Sequence, residues 1–263
     1  MMTRFLDRVA VVTGAASGIG RAASLRFAAE GAAVVAVDWS AGVNETADAI
    51  AASGGRAVAM RGDCGEEAFN RQIVDEAVAS FGRLDAFFAN AGVGGGLARL
   101  PDVGVDEWLT VLRVNLIGVF LGIREAARIM VPQGSGAIVA TASVAGIRSG
   151  AGGMPYSASK AGVINLVMTS ANQLQGSGVR VNAICPGLTE TGMTQGLFDG
   201  ARARGTDGKL GQLNPLKRAA SADEAAAVAV FLASDEASYV NGQALAVDGG
   251  LSSSHPVVPG KFV

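Results

Sequence analysis

The 263-residue chain has few of the side chains that disulfide frameworks and metal sites need, since it holds two cysteines and one histidine. Cys64 and Cys185 lie far apart in the sequence, so we expect reduced thiols in a cytoplasmic protein. His255 lies in the tail after Gly250, and we expect no catalytic role for it. No cluster of residues has metal-ligand spacing, so we expect no catalytic metal.

Strong charge and long apolar runs are also missing. The net charge is −2, from 23 acidic and 21 basic residues, which offers no basic surface for nucleic acid. No apolar run is long enough to cross a membrane. The stretch from Val9 to Ala16 is short and broken by Gly14, so we interpret it as a strand and not as a signal peptide. With 49% hydrophobic residues and 37 glycines, the composition favours a well-covered core with tight turns over disorder.

A strand, a glycine-rich turn and a helix follow one another near the start of the chain. Residues 8–13 form a β-rich apolar run that is typical of a strand buried on both faces, and a helical pattern extends from Arg21 to Glu30. In this context glycines permit the turn and let the backbone approach a pyrophosphate, while the helix N-terminus offers N–H groups. We therefore predict a dinucleotide site at Gly14, Ser17, Gly18, Ile19 and Gly20.

The second predicted strand, residues 33–38, ends in Asp38. A carboxylate about twenty residues after the glycine turn can accept hydrogen bonds from both adenosine ribose hydroxyls. It would also repel a 2′-phosphate, and neither Trp39 nor Ser40 is basic. We therefore predict NAD as the cofactor, with Asp38 and Trp39 at the ribose. The alternative is that Asp38 only caps the next helix.

Strand and helix patterns alternate along the rest of the chain without a break in composition. This alternation predicts an α/β fold with one doubly wound parallel sheet, flanked by helices on both faces, in a single domain over residues 1–263. Asp63 and Cys64, an acid and a small residue after the third strand, are suited to flank an adenine. Residues 189–213 are rich in glycine and threonine, and we interpret them as a mobile flap over a substrate pocket.

The stretch from Val105 to Val131 predicts a helix that is apolar nearly all round. Such a helix must be covered on two sides, and in a single sheet-and-helix domain the second cover is a further subunit. Asn115 is the polar exception in the middle of this helix. Because a mid-helix asparagine competes with the backbone for hydrogen bonds, we expect a local kink or an ordered water there.

Tyr156 and Lys160 are the residues that suggest acid/base chemistry. They are four residues apart in a helical pattern, so the ammonium is expected to reach under the phenol and lower its pKa from about 10. Taken alone, such a pair is more often found on a helix surface. Ser143 stands at the carboxyl end of the predicted strand over residues 136–142, where open α/β sheets bind their ligands.

Together these motifs resemble the short-chain dehydrogenase/reductase family, in its single-domain Rossmann branch. The resemblance covers almost the whole chain, and the combination of motifs in this order is highly specific. One departure is Ala89, where many members carry a second asparagine. The motifs are Thr13-Gly14-x-x-x-Gly18-x-Gly20, Asp63, Asn90-Ala91-Gly92, Asn115, Ser143, Tyr156-x-x-x-Lys160, Pro186-Gly187 and Asp248-Gly249-Gly250.

The resemblance implies a role for each catalytic residue. Tyr156 would be the general acid/base, Lys160 would lower its pKa and hold the nicotinamide ribose, and both residues would bind the cofactor. Ser143 would bind the substrate oxygen, and Asn115 would hold a water that links Lys160 to solvent. The resemblance also implies a homotetramer. The further residues that it places at the cofactor are Asn90, Ala91, Gly92, Pro186, Gly187, the backbone of Thr189 and the hydroxyl of Thr191.

The function that follows is hydride transfer between NAD and a secondary alcohol or ketone with a largely apolar body. We expect neither nucleic acid nor a membrane as partner. One alternative is a 3-oxoacyl-[acyl-carrier-protein] reductase, a class that generally favours the phosphorylated cofactor, against which Asp38 argues. Another is a catalytically inactive dinucleotide sensor, which the intact catalytic residues disfavour. Whether Arg148 meets a substrate carboxylate is left open. The apolar residues expected to line the pocket are Val93, Leu97, Met154, Met193, Leu197 and Phe198.

Overall fold

A computed structural model describes residues 3–254 of the chain. Within them, seven parallel strands form one sheet in the order β3-β2-β1-β4-β5-β6-β7. The strands are β1 (Val9–Thr13), β2 (Ala33–Asp38), β3 (Arg56–Arg61), β4 (Ala86–Ala89), β5 (Gly136–Thr141), β6 (Val179–Pro186) and β7 (Ala244–Val247). The predicted α/β fold with a doubly wound parallel sheet is therefore confirmed.

Helices cover both faces of this sheet. They are α1 (Gly18–Ala29), α2 (Val43–Ala52), α3 (Glu67–Phe81), α4 (Val105–Leu112), α5 (Gly118–Gln133), α6 (Met154–Gln173), α7 (Gln195–Ala203) and α8 (Ala222–Ala233). One apolar core joins the sheet to α3, α5 and α6, and a second core joins its other face to α1, α2 and α8. Because β1, β2 and β4 are buried along their whole length, their sequences are continuous apolar runs and do not alternate.

The order of the strands reverses at β1, which pairs with β2 on one side and with β4 on the other. The connections after β1 and β4 therefore leave the sheet in opposite directions and open a crevice at the carboxyl edge. The glycine turn follows β1 and the Asn90-Ala91-Gly92 turn follows β4, so both predicted cofactor turns border this crevice.

The predicted helix over residues 105–131 is correct in extent but is not one regular helix. It consists of α4, a π-helical turn over Arg113–Ile117, and α5. Asn115 lies in the π-helical turn and is fully buried. The irregularity therefore falls at the residue for which the sequence predicted a kink.

The segment interpreted as a flap contains α7 and a short 3₁₀ turn over Asp207–Lys209. It begins at Thr189, which forms a parallel bridge with Ala220. Among the described helices, none combines the length and the apolar character that crossing a bilayer requires.

Candidate active site

The glycine turn between β1 and α1 leaves room for the backbone alone. A Cβ at Gly20 would lie 2.1 Å from the carbonyl oxygen of Gly14, and Gly14 has a φ of +69°. Ser17 is the N-cap residue of α1, but its side chain makes no capping hydrogen bond. The first N–H groups of α1 therefore remain available to an anion, which is the arrangement that a pyrophosphate needs.

Asp38 is buried at the end of β2, with 8% of its surface exposed. Its two carboxylate oxygens accept the backbone N–H groups of Ala16, at 3.0 Å, and Ser40, at 2.9 Å. These bonds fix the carboxylate against the glycine turn, and each oxygen keeps a lone pair for a ribose hydroxyl. Gly42, not Asp38, is the N-cap residue of α2, so the alternative capping role is not what the structure shows.

Asp63 and Cys64 follow β3 at the same edge of the sheet. Burial would raise the pKa of Asp63, but a hydrogen bond from Arg113, at 2.7 Å, contributes to a pKa below the ordinary value. Arg113 opens the π-helical turn, and sequence reasoning missed it because its partner lies 50 positions earlier. Burial raises the pKa of the Cys64 thiol to about 12, so this thiol stays neutral.

Asn90 follows β4 and forms hydrogen bonds to the ends of the two neighbouring strands, β1 and β5. Its backbone N–H donates to the Thr13 hydroxyl at 2.9 Å, and its side-chain amide donates to the Thr13 carbonyl oxygen at 3.1 Å. The Thr141 hydroxyl donates to the Asn90 side-chain oxygen at 2.9 Å. The turn that contains Ala91 and Gly92 is thereby fixed to β1, β4 and β5. Thr13 and Thr141 were not predicted to support the site.

Lys160 is buried on α6 with 2% of its surface exposed. Its ammonium donates to the Thr141 carbonyl oxygen at 2.7 Å and lies 5.6 Å from the centre of the Tyr156 ring. A Cβ at Gly92 would be 3.6 Å from this ammonium, so the turn after β4 passes directly over it. Burial lowers the pKa of Lys160 to about 8.

The pKa of Tyr156 does not follow the sequence prediction. Burial raises it above the ordinary value of 10.0, and a hydrogen bond with Ser143 acts in the opposite direction. The expected lowering by Lys160 is therefore wrong for this structure. The ammonium is directed to the Thr141 carbonyl, and it meets the tyrosine ring and not the phenolic oxygen.

Ser143 is held in place by the turn that it starts. Its hydroxyl oxygen accepts the backbone N–H of Ala145 at 3.1 Å and caps the 3₁₀ turn over Val144–Gly146. A Cβ at Gly146 would lie 2.6 Å from the carbonyl carbon of Lys160, so this turn packs directly on α6. Close packing of the turn on the helix thus brings Ser143, Tyr156 and Lys160 together.

Asn115 connects the π-helical turn to the loop after β4. Its side-chain oxygen accepts the backbone N–H of Val93 at 2.8 Å. Its side-chain nitrogen donates to the Val93 carbonyl at 2.9 Å and to the Ser159 hydroxyl at 3.2 Å. Ser159 in turn donates to the Tyr156 carbonyl oxygen at 2.6 Å. These bonds position α6, while the water that the resemblance implies at Asn115 stays a prediction.

The start of the flap is fixed by a threonine that the sequence reasoning missed. The Thr194 hydroxyl donates to the Thr189 carbonyl at 2.6 Å and accepts the backbone N–H of Thr191 at 3.0 Å. A Cβ at Gly18 would lie 2.9 Å from the Cβ of Thr191. The flap therefore begins directly against the glycine turn, after Pro186 and Gly187 have ended β6.

Arg148 lies between the Ser143 turn and the end of the described chain. Its guanidinium donates to the Leu251 carbonyl and, at 3.5 Å, to the Ser254 carbonyl. His255 lies outside the described residues.

Burial raises the pKa of the Cys185 thiol to about 11, so this thiol also stays neutral beside Lys160. Among the described residues, no group of three or more His, Cys, Asp or Glu side chains has the arrangement of a metal site.

The buried Lys160 leads to a prediction for stability. Between about pH 8 and pH 10.5 the unfolded chain keeps the Lys160 proton and the folded chain does not, so the free energy of unfolding rises with pH. Relative to Lys160→Met, we expect the parent to gain about 3 kcal/mol across this window. Urea unfolding of both proteins at several pH values measures it.

The comparison with Lys160→Met also removes opposing effects. Tyr156, Cys64 and Cys185 have raised pKa values, which lower stability as pH rises, and both proteins contain them. If the free energies of unfolding of the two proteins changed with pH in parallel, the pKa of Lys160 would not be lowered in the folded chain, which would contradict the prediction.

Hydride transfer at a nicotinamide needs a dinucleotide held along the carboxyl edge of a sheet and a proton-transferring group beside it. The crevice between the ends of β1 and β4 offers a place for the dinucleotide, and Tyr156 with Ser143 provides the proton-transferring group. The fold and the site together define the class of nicotinamide-dependent oxidoreductases.

Comparisons with known proteins give the family. A family model described as enoyl-(acyl carrier protein) reductase matches residues 14–252. The chain is 43% identical to the cis-4-hydroxycyclohexanecarboxylate dehydrogenase of Sinomonas cyclohexanicum, over 95% of this chain and 98% of that protein. It is 40% identical to the levodione reductase of Leifsonia aquatica, over 96% and 97%.

Comparisons with solved structures find relatives of the same kind. A crystal structure of levodione reductase matches with a TM-score of 0.90 at 40% identity, covering 95% of this chain and 100% of that one. A protein from Beutenbergia cavernae, described as an NAD(P) dependent gluconate 5-dehydrogenase with bound NADP at low occupancy, matches with a TM-score of 0.86 at 40% identity, covering 95% and 98%.

The chain belongs to the short-chain dehydrogenase/reductase family. It is an NAD(P)-dependent oxidoreductase that acts on alcohols or ketones, as the sequence predicted.

Proposed function

We propose that this enzyme interconverts a cyclic secondary alcohol and its ketone with NAD as the hydride carrier. The observation that carries the proposal is the Tyr156 phenol, whose pKa the Ser143 side chain lowers, next to the buried Lys160 at the carboxyl edge of the sheet. A phenol and a hydroxyl side by side can hold one substrate oxygen and move one proton to or from it.

In the oxidation, the Ser143 hydroxyl binds the substrate oxygen and orients the alcohol. The Tyr156 phenolate takes the hydroxyl proton, while the hydrogen on the carbinol carbon leaves as hydride, so that the product is a ketone. Lys160 would hold the nicotinamide ribose through the N–H groups that Thr141 leaves free. Oxidised nicotinamide, when bound, would supply the hydride acceptor, and its positive charge would favour the phenolate form of Tyr156.

The cofactor choice rests on Asp38. Its carboxylate is buried and held by two backbone N–H groups, so it cannot turn away from a 2′-phosphate. We expect kcat/KM with NAD to exceed that with NADP by about 10²-fold, the effect of one desolvated like-charge contact of a few kcal/mol. Initial rates with each cofactor, followed by the absorbance of the reduced nicotinamide, test this. Equal efficiencies would contradict the role of Asp38.

A cyclic and largely apolar substrate fits the exposed side chains near the crevice. Leu97, Met154, Met193 and Leu197 are large apolar residues with between 38% and 84% of their surface exposed. One relative, the dehydrogenase of Sinomonas cyclohexanicum, is named for a substrate that is a hydroxylated cyclohexane carboxylate. Arg148 is engaged by the carbonyls of the C-terminal segment, so we propose a neutral substrate body.

A substrate panel tests this proposal. It should contain cyclic and open-chain secondary alcohols, their ketones, a ring alcohol with a carboxylate, and a 3-oxoacyl thioester. We expect the highest kcat/KM with NAD for the neutral ring alcohols and ketones. Highest efficiency for the thioester would instead favour the acyl-chain reductase alternative, and no turnover of any ring compound would refute the substrate class.

We also propose that the enzyme works as a homotetramer. Large apolar side chains on α4, α5 and the turn between them stay exposed on the single chain, and Met168 on α6 is 46% exposed. An apolar surface of this kind is seldom left open on a monomer, and two helices from each of two copies can form a two-fold contact. The exposed residues are Val105, Leu109, Ile117, Phe120 and Val131.

Light scattering at micromolar concentration tests the assembly. We expect the mass of four chains for the parent and a lower mass for Phe120→Asp, because a carboxylate in an apolar contact is desolvated without a partner. Leu6→Asp is the matched control, since Leu6 is 62% exposed and lies outside these helices. A monomeric parent would contradict the proposal.

Within the single domain over residues 1–263, we propose that the flap, residues 189–213, moves over the bound substrate. The support is its position, because it begins at the crevice and carries the exposed side chains of Met193 and Leu197. The loop after β4 lies close to it, since a Cβ at Gly94 would be 3.6 Å from Met193.

A further inference from the structure

Arg61 is a cation beside the predicted ribose site that none of the steps above uses. It is the last residue of β3 and is paired in register with Asp38 of β2. Residues paired in register on parallel strands point to the same face of the sheet, so both side chains leave the sheet together. Arg61 is exposed, and its Nε donates to the Trp39 carbonyl at 3.0 Å.

The two terminal nitrogens of the Arg61 guanidinium have no acidic partner among the described residues. Asp38 forms no ion pair with it, and the two Asp38 oxygens accept the N–H groups of Ala16 and Ser40 instead. Two neighbouring strands, β2 and β3, therefore end in side chains of opposite charge that form no ion pair with each other.

The N–H groups that hold Asp38 form an anion site that the chain fills with its own carboxylate. Two convergent backbone N–H groups are a common way to bind a phosphate, and a neighbouring guanidinium adds donors that match phosphate oxygens. With the Asp38 carboxylate removed, the N–H groups of Ala16 and Ser40 would be free at the end of β2, beside the strand that ends in Arg61.

We propose that Arg61 is a latent ligand for a 2′-phosphate and determines how much NADP this enzyme accepts, with Asp38 covering the site. The proposal rests on the proposed placement of the adenosine ribose at Asp38. It goes beyond that placement because it names the residue that would supply a positive charge to the 2′-phosphate. That residue is Arg61 of β3, and it lies neither in the glycine turn nor directly after β2. Ser17 and Trp39, which occupy those positions, carry no charge.

The test compares Asp38→Ser with Asp38→Ser/Arg61→Gln. Asp38→Ser is expected to raise the NADP-to-NAD ratio of kcat/KM, and Arg61→Gln is expected to lower that ratio about tenfold in this background, the effect of one charged hydrogen bond. Arg56→Gln in the same background is the matched control. Arg56 is also exposed on β3, but at its opposite end, over the Phe81 ring.

A binding measurement keeps the test independent of turnover. In the Asp38→Ser background, Arg61→Gln should weaken binding of adenosine 2′,5′-bisphosphate severalfold and leave binding of 5′-AMP unchanged, because only the first ligand carries the 2′-phosphate. Loss of both affinities in parallel, or of neither, would overturn the proposal. So would an Asp38→Ser enzyme whose NADP-to-NAD ratio is the same with and without Arg61.

The outcomes also separate this proposal from the proposed function. If the parent enzyme turns over NADP better than NAD, the placement of the ribose at Asp38 is wrong. If the parent prefers NAD but the response to the 2′-phosphate does not depend on Arg61, only the latent site is wrong.

Discussion

A Tyr156→Phe variant is expected to lose about 10³-fold in kcat, within the range by which general acid/base catalysis accelerates reactions. The substitution keeps the ring that packs near Lys160 but removes the only atom of this side chain that can carry a proton. Binding of NAD should stay close to that of the parent, because the phenolic oxygen is not part of the glycine turn or the ribose site. Steady-state rates and a fluorescence titration with NAD measure the two quantities.

The chain provides a control for this experiment in its second tyrosine. Tyr239 is fully exposed and follows a short turn at the end of α8. Tyr239→Phe should keep the parent kcat. A Tyr156→Phe enzyme with more than about a tenth of the parent activity would contradict the assignment of the acid/base, since the expected loss is much larger.

A Ser143→Ala variant is expected to lose about 10²-fold in kcat, the effect of removing one hydrogen-bond donor to a reacting oxygen. A second change should accompany the loss. The Ser143 side chain lowers the pKa of Tyr156, so its removal should move the alkaline rise of the oxidation rate to higher pH. A purely structural role of Ser143 would reduce activity without this displacement of the pH profile.

Two further variants complete the Ser143 experiment. Ser143→Thr keeps a hydroxyl and should restore both the rate and the pH profile in large part. Ser157→Ala is the control, because the Ser157 hydroxyl is exposed on the same helix as Tyr156 and, within residues 3–254, bonds only to the Gly152 carbonyl, at 3.3 Å. A pH profile of Ser143→Ala that coincides with that of the parent would contradict the effect of Ser143 on the pKa of Tyr156.

The fold could be predicted from the sequence because its signals are local. Continuous apolar runs identified β1 and β2, and the glycine turn and Asp38 stood at fixed distances from them. The bounds of β2 agree with the predicted residues 33–38, and β1 begins one position after the start of the predicted run over residues 8–13. Each of these elements is defined by residues that are close in sequence.

The partners inside the site could not be predicted in the same way. Arg113 meets Asp63, and Thr141 meets Lys160, only after the strands have been placed side by side. The sign of the Tyr156 pKa shift was wrong because burial dominates it, and burial is a property of the folded chain. Spacing on a helix predicted that Lys160 approaches Tyr156, but it did not reveal that the Thr141 carbonyl holds the ammonium.

The measurement that tests the central claim most directly follows the hydride. A ring alcohol that carries deuterium on its carbinol carbon is oxidised by the enzyme with NAD, and the reduced cofactor is analysed by mass spectrometry. Direct transfer predicts that the deuterium appears in the reduced nicotinamide, and that the Tyr156→Phe enzyme forms this product far more slowly. Reduced cofactor without deuterium, or labelled cofactor formed equally fast without the Tyr156 hydroxyl, would contradict the account.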